Sequence, residues 1–256
     1  MSASTARDEL LRRLYPETSA GGFTRIDGFV EFYTRVNALL SEDSEVLDFG
    51  AGRGAWTDIP ISDYHRTLRA FHERVARVVG VDVDPAIHEN PALAHAHVIQ
   101  PGDALPFADE SFDLVLADYV LEHVSEKDAP GVAKEVMRVL RPGGWFAART
   151  PNKWGLIGLG ARAVPNHLHT RVLEKLQPGR KAEDVFPVEY YMNTYRDLGR
   201  LFSAHELIVY GHASEPTYFG SSRSAWRAAQ LLDRMTPPAL APTLMVFVRK
   251  ATPSNV

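Results

Sequence analysis

The 256-residue chain contains no cysteine. Disulfides, thiolate metal sites and cysteine nucleophiles are therefore excluded, and the compartment is left open. No apolar run approaches the length of a membrane-spanning helix. The N-terminus, Met1 to Leu14, alternates polar and charged residues and lacks the apolar centre of a secretory signal. Neither charge sign dominates: 28 Lys and Arg oppose 32 Asp and Glu, a net charge of −4. That global balance gives no reason to expect nucleic acid or an anionic membrane as a partner. Internal repeats and low-complexity tracts are also missing. The expectation is a cytoplasmic protein without a transmembrane segment, built as one large domain or one domain with a sizeable insertion.

What is present is organised around Val46-Leu47-Asp48-Phe49-Gly50-Ala51-Gly52-Arg53-Gly54. Two apolar residues lead into an acid, and glycine then falls at every second position. This reads as a buried strand, a tight turn, and a helix beginning near Ala55. Glycine permits backbone angles closed to other residues and lets a ligand approach the main chain. Free N–H groups at a helix start favour an anionic or strongly polar ligand. Gly50-x-Gly52-x-x-Ala55 also satisfies the dinucleotide fingerprint. At this point an NAD-dependent oxidoreductase and an ordinary strand–turn–helix both stay open.

Upstream, Asp8 to Leu14 reads as a short helix. Asp27 reads as the N-cap of a second helix over 28–40, with Phe29, Phe32, Tyr33, Val36, Leu39 and Leu40 at helical spacing. Downstream, Asp63 is placed to cap a helix carrying Tyr64, Leu68, Phe71 and Val75. Its companions Arg66, Arg69, Arg74 and Arg77 read as a solvated basic face. Val78 to Pro85 is a strand apolar on both faces, as in a covered parallel sheet. It ends in Asp82 and Asp84. A carboxylate there can accept from both ribose hydroxyls of an adenosine cofactor, or simply cap the next turn. Gly52 and Asp82 are 30 positions apart, against about 20 in dinucleotide folds, so the spacing requires the extra helix.

Further strands are read at Ala96–Ile99, Phe112–Asp118, Trp145–Thr150, Glu206–Tyr210 and Leu244–Arg249. A helix starts at Asp128 and stops at Arg141-Pro142-Gly143-Gly144. Another runs from Thr194 to about Phe202, and one more spans Ser224 to Met235. Strands alternating with helices imply an α/β fold with a doubly wound, mostly parallel sheet.

Four blocks together resemble the class I S-adenosylmethionine-dependent methyltransferases, in particular the group like the ubiquinone/menaquinone C-methyltransferases. They are Val46 to Gly54; Gly80 to Pro85; Gly102-Asp103-Ala104-Leu105-Pro106-Phe107 with Ser111 to Val115; and Leu121-Glu122-His123-Val124 with Arg138 to Gly144. The resemblance covers residues 46–150. It implies a seven-stranded Rossmann-like sheet whose last strand is antiparallel, and S-adenosylmethionine as cofactor with S-adenosylhomocysteine as product.

It also implies roles. Gly50, Gly52 and Gly54 would form the loop at the methionyl part, with Asp48 supporting the loop and the amino group. Asp82 would hold the ribose hydroxyls and Val83 would touch the adenine. Asp103 would accept from the adenine amino group, and the Ala104 N–H would donate to the ring. Asp118 would face the methionyl moiety and the transferred methyl. The departures from the family pattern are the long stretch before the second strand and Arg53 in a slot more often small or polar.

Methyl transfer from a sulfonium needs mainly alignment of the acceptor, plus a general base where the acceptor is a hydroxyl or acidic carbon. His123 is the nearest candidate base and Glu122 a weaker one. Trp56 or Tyr119 would either face the sulfonium or pack in the core. His167-x-His169 lacks evident further ligands, so no metal is expected.

The acceptor is expected to be a small molecule, or lipid- or sugar-linked, reacting through O, N or C; no nucleic acid is expected. A non-catalytic S-adenosylmethionine-binding protein stays open. The organisation expected is 1–45, an N-terminal helical segment over the cofactor site; 46–150, the cofactor-binding core; 151–193, an insertion acting as a substrate cap, an interface or a structural excursion; and 194–256, the rest of the sheet domain.

Overall fold

In the computed structural model the described residues are 3–57, 62–155, 188–216 and 222–252. His167, His169, Phe186 and most of the 151–193 insertion lie outside them.

Seven strands form one sheet in the order β3-β2-β1-β4-β5-β7-β6. The strands are β1 Glu45–Phe49, β2 Arg77–Asp82, β3 His95–Val98, β4 Phe112–Asp118, β5 Leu140–Pro151, β6 Glu206–His212 and β7 Thr243–Arg249. β1 to β5 pair in parallel, and β7 runs antiparallel between β5 and β6. This is the doubly wound sheet that the alternation of strands and helices predicts, with the antiparallel last strand that the resemblance implies.

Alternation along the strands builds two apolar layers. Leu47, Val79, Val81, Val115, Ala117, Phe146 and Ala148 face α4 (Ala129–Val139) and α5 (Tyr195–Leu201). Val46, Val78, Leu114, Leu116, Ala147 and Phe247 face α2 (Gly28–Ala38) and α3 (Asp63–Arg69). A satellite cluster joins α1 (Ala3–Leu14) to α6 (Arg223–Met235) through Leu10, Tyr15 and the fully buried Trp226.

The caps explain the helix starts. Asp27 accepts from the Phe29 and Val30 N–H groups at 2.9 and 3.0 Å, and Thr194 accepts from Asp197 N–H at 3.0 Å. Ser62, rather than Asp63, caps α3, accepting from His65 N–H at 3.2 Å. Arg141 to Gly144 do not terminate a helix. α4 ends at Val139, and these residues already belong to β5, where the register against β4 shifts between Phe112 and Leu114. In place of a helix at Ala55 there is one 3₁₀ turn, Ala55–Thr57.

Candidate functional site

The chain builds β1, β2 and β3 outward, then crosses back to lay β4 on the other side of β1. Such a reversal opens a crevice at the C-terminal ends of the strands. The glycine loop leaves β1 at this point.

The loop is held tightly. Gly50 N–H donates to the Val81 carbonyl at 2.8 Å. The Asn90 side-chain amide donates to the Ala51 and Gly52 carbonyls at 3.2 and 3.1 Å. Gly50, Gly52 and Gly54 have φ of 76, 56 and 74°, a region that favours glycine. Their surroundings differ. A Cβ at Gly50 would lie 2.3 Å from Val120 Cγ2, and one at Gly54 would lie 2.5 Å from Asn90 Oδ1, whereas one at Gly52 meets nothing within 4 Å. Gly50 and Gly54 serve close packing; Gly52 faces open space.

Asp82, at the end of β2, joins this loop. Its Oδ2 accepts from Gly52 N–H at 2.8 Å and its Oδ1 from Asp84 N–H at 2.8 Å. A carboxylate has about four acceptor positions, so two remain. Asp84 caps the following 3₁₀ turn, accepting from Ala86 N–H at 2.9 Å. Val83 beside them is an exposed apolar side chain. Asp103 and Ala104 are exposed on the turn after β3. That turn is tied to β2 by Ile99 N–H donating to the Asp82 carbonyl at 2.9 Å, and Asp103 Oδ2 accepts from Gln100 N–H at 3.0 Å.

The other acids are already partnered. Asp48 is buried, and its Oδ2 accepts from Arg69 Nη2 at 2.7 Å. Burial opposes the Arg69 charge, but Asp48 and its neighbours hold the guanidinium firmly protonated. The basic run is therefore not all solvated: Arg69 turns inward among Tyr33, Trp56 and Phe71, 5.3 to 5.4 Å from each ring centroid.

Asp118 ends β4 opposite Arg149 of β5. Arg149 Nε donates to Oδ1 at 2.5 Å, and Arg149 Nη2 and the Tyr33 hydroxyl donate to Oδ2 at 3.0 and 2.8 Å. Burial would raise the Asp118 pKa, but Arg149, Arg69 and Tyr33 together bring it below its ordinary value. Burial drives the Tyr33 phenol well above its ordinary range. Asp48, Arg69, Tyr33, Asp118 and Arg149 thus form one largely buried polar chain near the C-terminal ends of β1, β4 and β5. Both candidate sulfonium aromatics are engaged here: Trp56 by Arg69, and Tyr119 by Arg149 at 4.9 Å.

His123 is partly exposed on the 3₁₀ turn Leu121–His123. Glu122 is buried, and its Oε2 accepts from the Thr150 hydroxyl at 3.0 Å. Burial raises its pKa.

Arg69, Arg149, Tyr33 and Asn90 were not singled out from the sequence as site residues. Arg149 carried a signal, a cation near the end of a buried strand beside one ending in an acid. Arg69 carried none that separates it from Arg66 or Arg74.

A family model described as a methyltransferase domain matches residues 47–148. An uncharacterised methyltransferase of Mycolicibacterium vanbaalenii is 32% identical over 166 residues, covering 62% of this chain and 56% of that protein. The chain thus spans little more than half the length of that relative. One from Mycobacteroides abscessus is 30% identical over 194 residues, covering 68% of this chain and 69% of that protein. Among solved structures, an S-adenosylmethionine-dependent methyltransferase from Methanosarcina mazei superposes with a TM-score of 0.52 at 19% identity, covering 85% of this chain and 97% of that one, a likeness of fold. The chain belongs to the class I S-adenosylmethionine-dependent methyltransferase family.

Proposed function

We propose that the chain transfers a methyl group from S-adenosylmethionine to an O, N or C nucleophile of a small-molecule, lipid-linked or sugar-linked acceptor, releasing S-adenosylhomocysteine. The observation that carries this reading is the loop at the β1–β4 crevice: Gly52 faces open space while its N–H is tied to Asp82. An uncovered glycine beside a carboxylate with spare acceptor positions suits a ribose bearing two neighbouring hydroxyls. The finer likeness to the ubiquinone/menaquinone C-methyltransferase group, and a cytoplasmic site of reaction, belong to the same proposal.

When bound, S-adenosylmethionine supplies a methyl already activated by a sulfonium. The chain's own residues bind and orient. Gly52 allows main-chain approach, and Gly50 and Gly54 hold the loop's shape by packing against Val120 and Asn90. Asp82 accepts from the ribose, Val83 covers the adenine, and Asp103 with the Ala104 N–H reads the adenine edge. Asp48 acts through Arg69 to stiffen the loop, its Oδ2 accepting from that guanidinium. Asp118, fixed by Arg149 and Tyr33, forms the floor on the methionyl side. His123 takes the acceptor proton.

We assign the insertion 151–193 to the acceptor side. Its two ends leave and rejoin the core together, Lys153 N–H donating to the Asn193 carbonyl at 3.0 Å. The returning strand of chain is hung on Glu122, whose carbonyl accepts from Glu189 N–H at 2.7 Å. The described end of the insertion at Glu189 thus lies beside the turn that carries His123, which supports this assignment.

Calorimetric titration with S-adenosylmethionine, S-adenosylhomocysteine and NAD tests the cofactor. Binding of the first two, weakened by Asp82→Ala, is expected. Binding of NAD alone would overturn the reading. A screen for S-adenosylhomocysteine release over an acceptor panel separates an enzyme from a silent binder, and His123→Ala is expected to lower turnover about 100-fold without changing cofactor affinity.

A further inference from the structure

The small net charge of the chain conceals a local segregation. α6 buries Trp226 against Tyr15 and leaves the opposite side of the helix uncovered. Leu231, Leu232 and Met235 are 60, 51 and 75% exposed there, among the largest exposures of any apolar side chain described. Three apolar residues within five positions are more than the scattered single exposures usual on protein surfaces.

The charges beside this face share one sign. Arg223, Arg227 and Arg234 recur along one flank of α6, and all three are exposed. Arg13, at the end of α1, is exposed beside them: the charges of Arg13 and then Arg227 hold the Arg223 guanidinium below its ordinary range. Asp233, the acid of this helix, is half-buried away from the face, where burial raises its pKa. On α1, Glu9 precedes Arg13 by one helical turn on the same side, so the like-charged cluster is Arg223, Arg227 and Arg234 with Arg13 at its edge. An apolar face flanked by crowded arginines is the pattern of a helix lying in a membrane interface, apolar side in the acyl boundary and cations among anionic headgroups.

We propose that α6, with Arg13, docks this protein on an anionic lipid surface. The occupant is a bilayer rather than a second copy of the chain, because a twofold copy would bring the same arginines together, and among the described residues of α6 the one acid, Asp233, is turned away from the face. The proposal does not depend on the methyl-transfer reading and has its own readout.

The 256-residue chain is centrifuged with vesicles of phosphatidylcholine alone and of phosphatidylcholine mixed with phosphatidylglycerol. Pelleting with the mixed vesicles only, reversed by raising the salt, is expected. Arg223→Gln with Arg227→Gln and Arg234→Gln should weaken it about 100-fold, each cation contributing roughly 1 kcal/mol near such a surface. Leu231→Gln with Leu232→Gln and Met235→Gln should abolish it. All six positions are exposed; unchanged circular dichroism and S-adenosylmethionine titration verify the fold. No pelleting of the parent chain, equal pelleting with both vesicles, or binding indifferent to either triple substitution overturns the proposal. So does a dimer in sedimentation equilibrium that the apolar triple removes while vesicles leave the parent chain in the supernatant.

Discussion

Arg69 Nη2 lies 2.7 Å from Asp48 Oδ2, and both side chains are almost fully buried. This pair connects the helix inserted between β1 and β2 to the strand that carries the glycine loop. Arg69→Met should therefore destabilise the protein by about 3–5 kcal/mol, because it strands a buried carboxylate. The double variant Arg69→Met/Asp48→Asn should lose less than Arg69→Met alone. Urea unfolding of the two provides the check, and equal losses would mean that the pair is not coupled.

The glycines of one loop should respond differently to the same substitution. Gly50→Ala drives a methyl into Val120 and is expected to lower the melting temperature sharply. Gly52→Ala meets no neighbour and should cost only about 1 kcal/mol for its left-handed backbone. It should nonetheless weaken S-adenosylmethionine binding at least about tenfold by placing a methyl where the ligand approaches. Melting curves and calorimetry on both variants separate the packing role from the binding role.

Asp118 predicts an acid limb. Its pKa is lower in the folded protein than its ordinary value of 3.8. The unfolded chain therefore takes up the proton first as pH falls. The stabilisation from this carboxylate is full above the unfolded value and is lost as pH falls through the folded one. Asp118→Asn should flatten the fall of stability with pH in that acid window, while lowering stability at neutral pH by leaving Arg149 unpaired. Denaturant unfolding across the acid range would show an unchanged slope if the carboxylate were not held this way.

Glu122 predicts the opposite sign. Burial raises its pKa, so the protonated form is the one the fold favours. Its contribution is complete below the unfolded value and is lost as pH rises through the raised one. Glu122→Gln keeps a neutral hydrogen-bonding group beside Thr150 and should remove that loss. Stability that still declines through the same interval in the variant would assign the effect to another group.

The strands were legible because a sheet covered on both sides must be written in unbroken apolar runs. Phe112–Asp118 was read to the residue for that reason. The caps at Asp27 and Thr194 were legible because an N-cap needs only local geometry. Arg141-Pro142-Gly143-Gly144 misled, since a Pro-Gly stop signal after a helix is also compatible with an irregular strand start. The basic run misled for another reason: Arg69 differs from its neighbours only in what lies opposite it once β1 and α2 are in place. The resemblance implied that Asp48 supports the loop and that Asp118 faces the methionyl moiety, but no local pattern shows that each also accepts from a guanidinium of another element.

By itself, then, the chain determined its element types, its parallel sheet and the candidate glycine loop, because periodicity and backbone permissiveness are properties of neighbouring residues. The tertiary structure alone decided which glycine faces open space, which carboxylates are spent on buried arginines, and that the exposed arginines of α6 gather beside an apolar face. These are settled between distant residues: Arg69 reaches Asp48 21 positions away, Arg149 reaches Asp118 31 positions away, and α6 orients its faces by burying Trp226 against Tyr15. In a low-dielectric interior, and on a crowded surface, the partner across space sets the charge state and availability of a side chain.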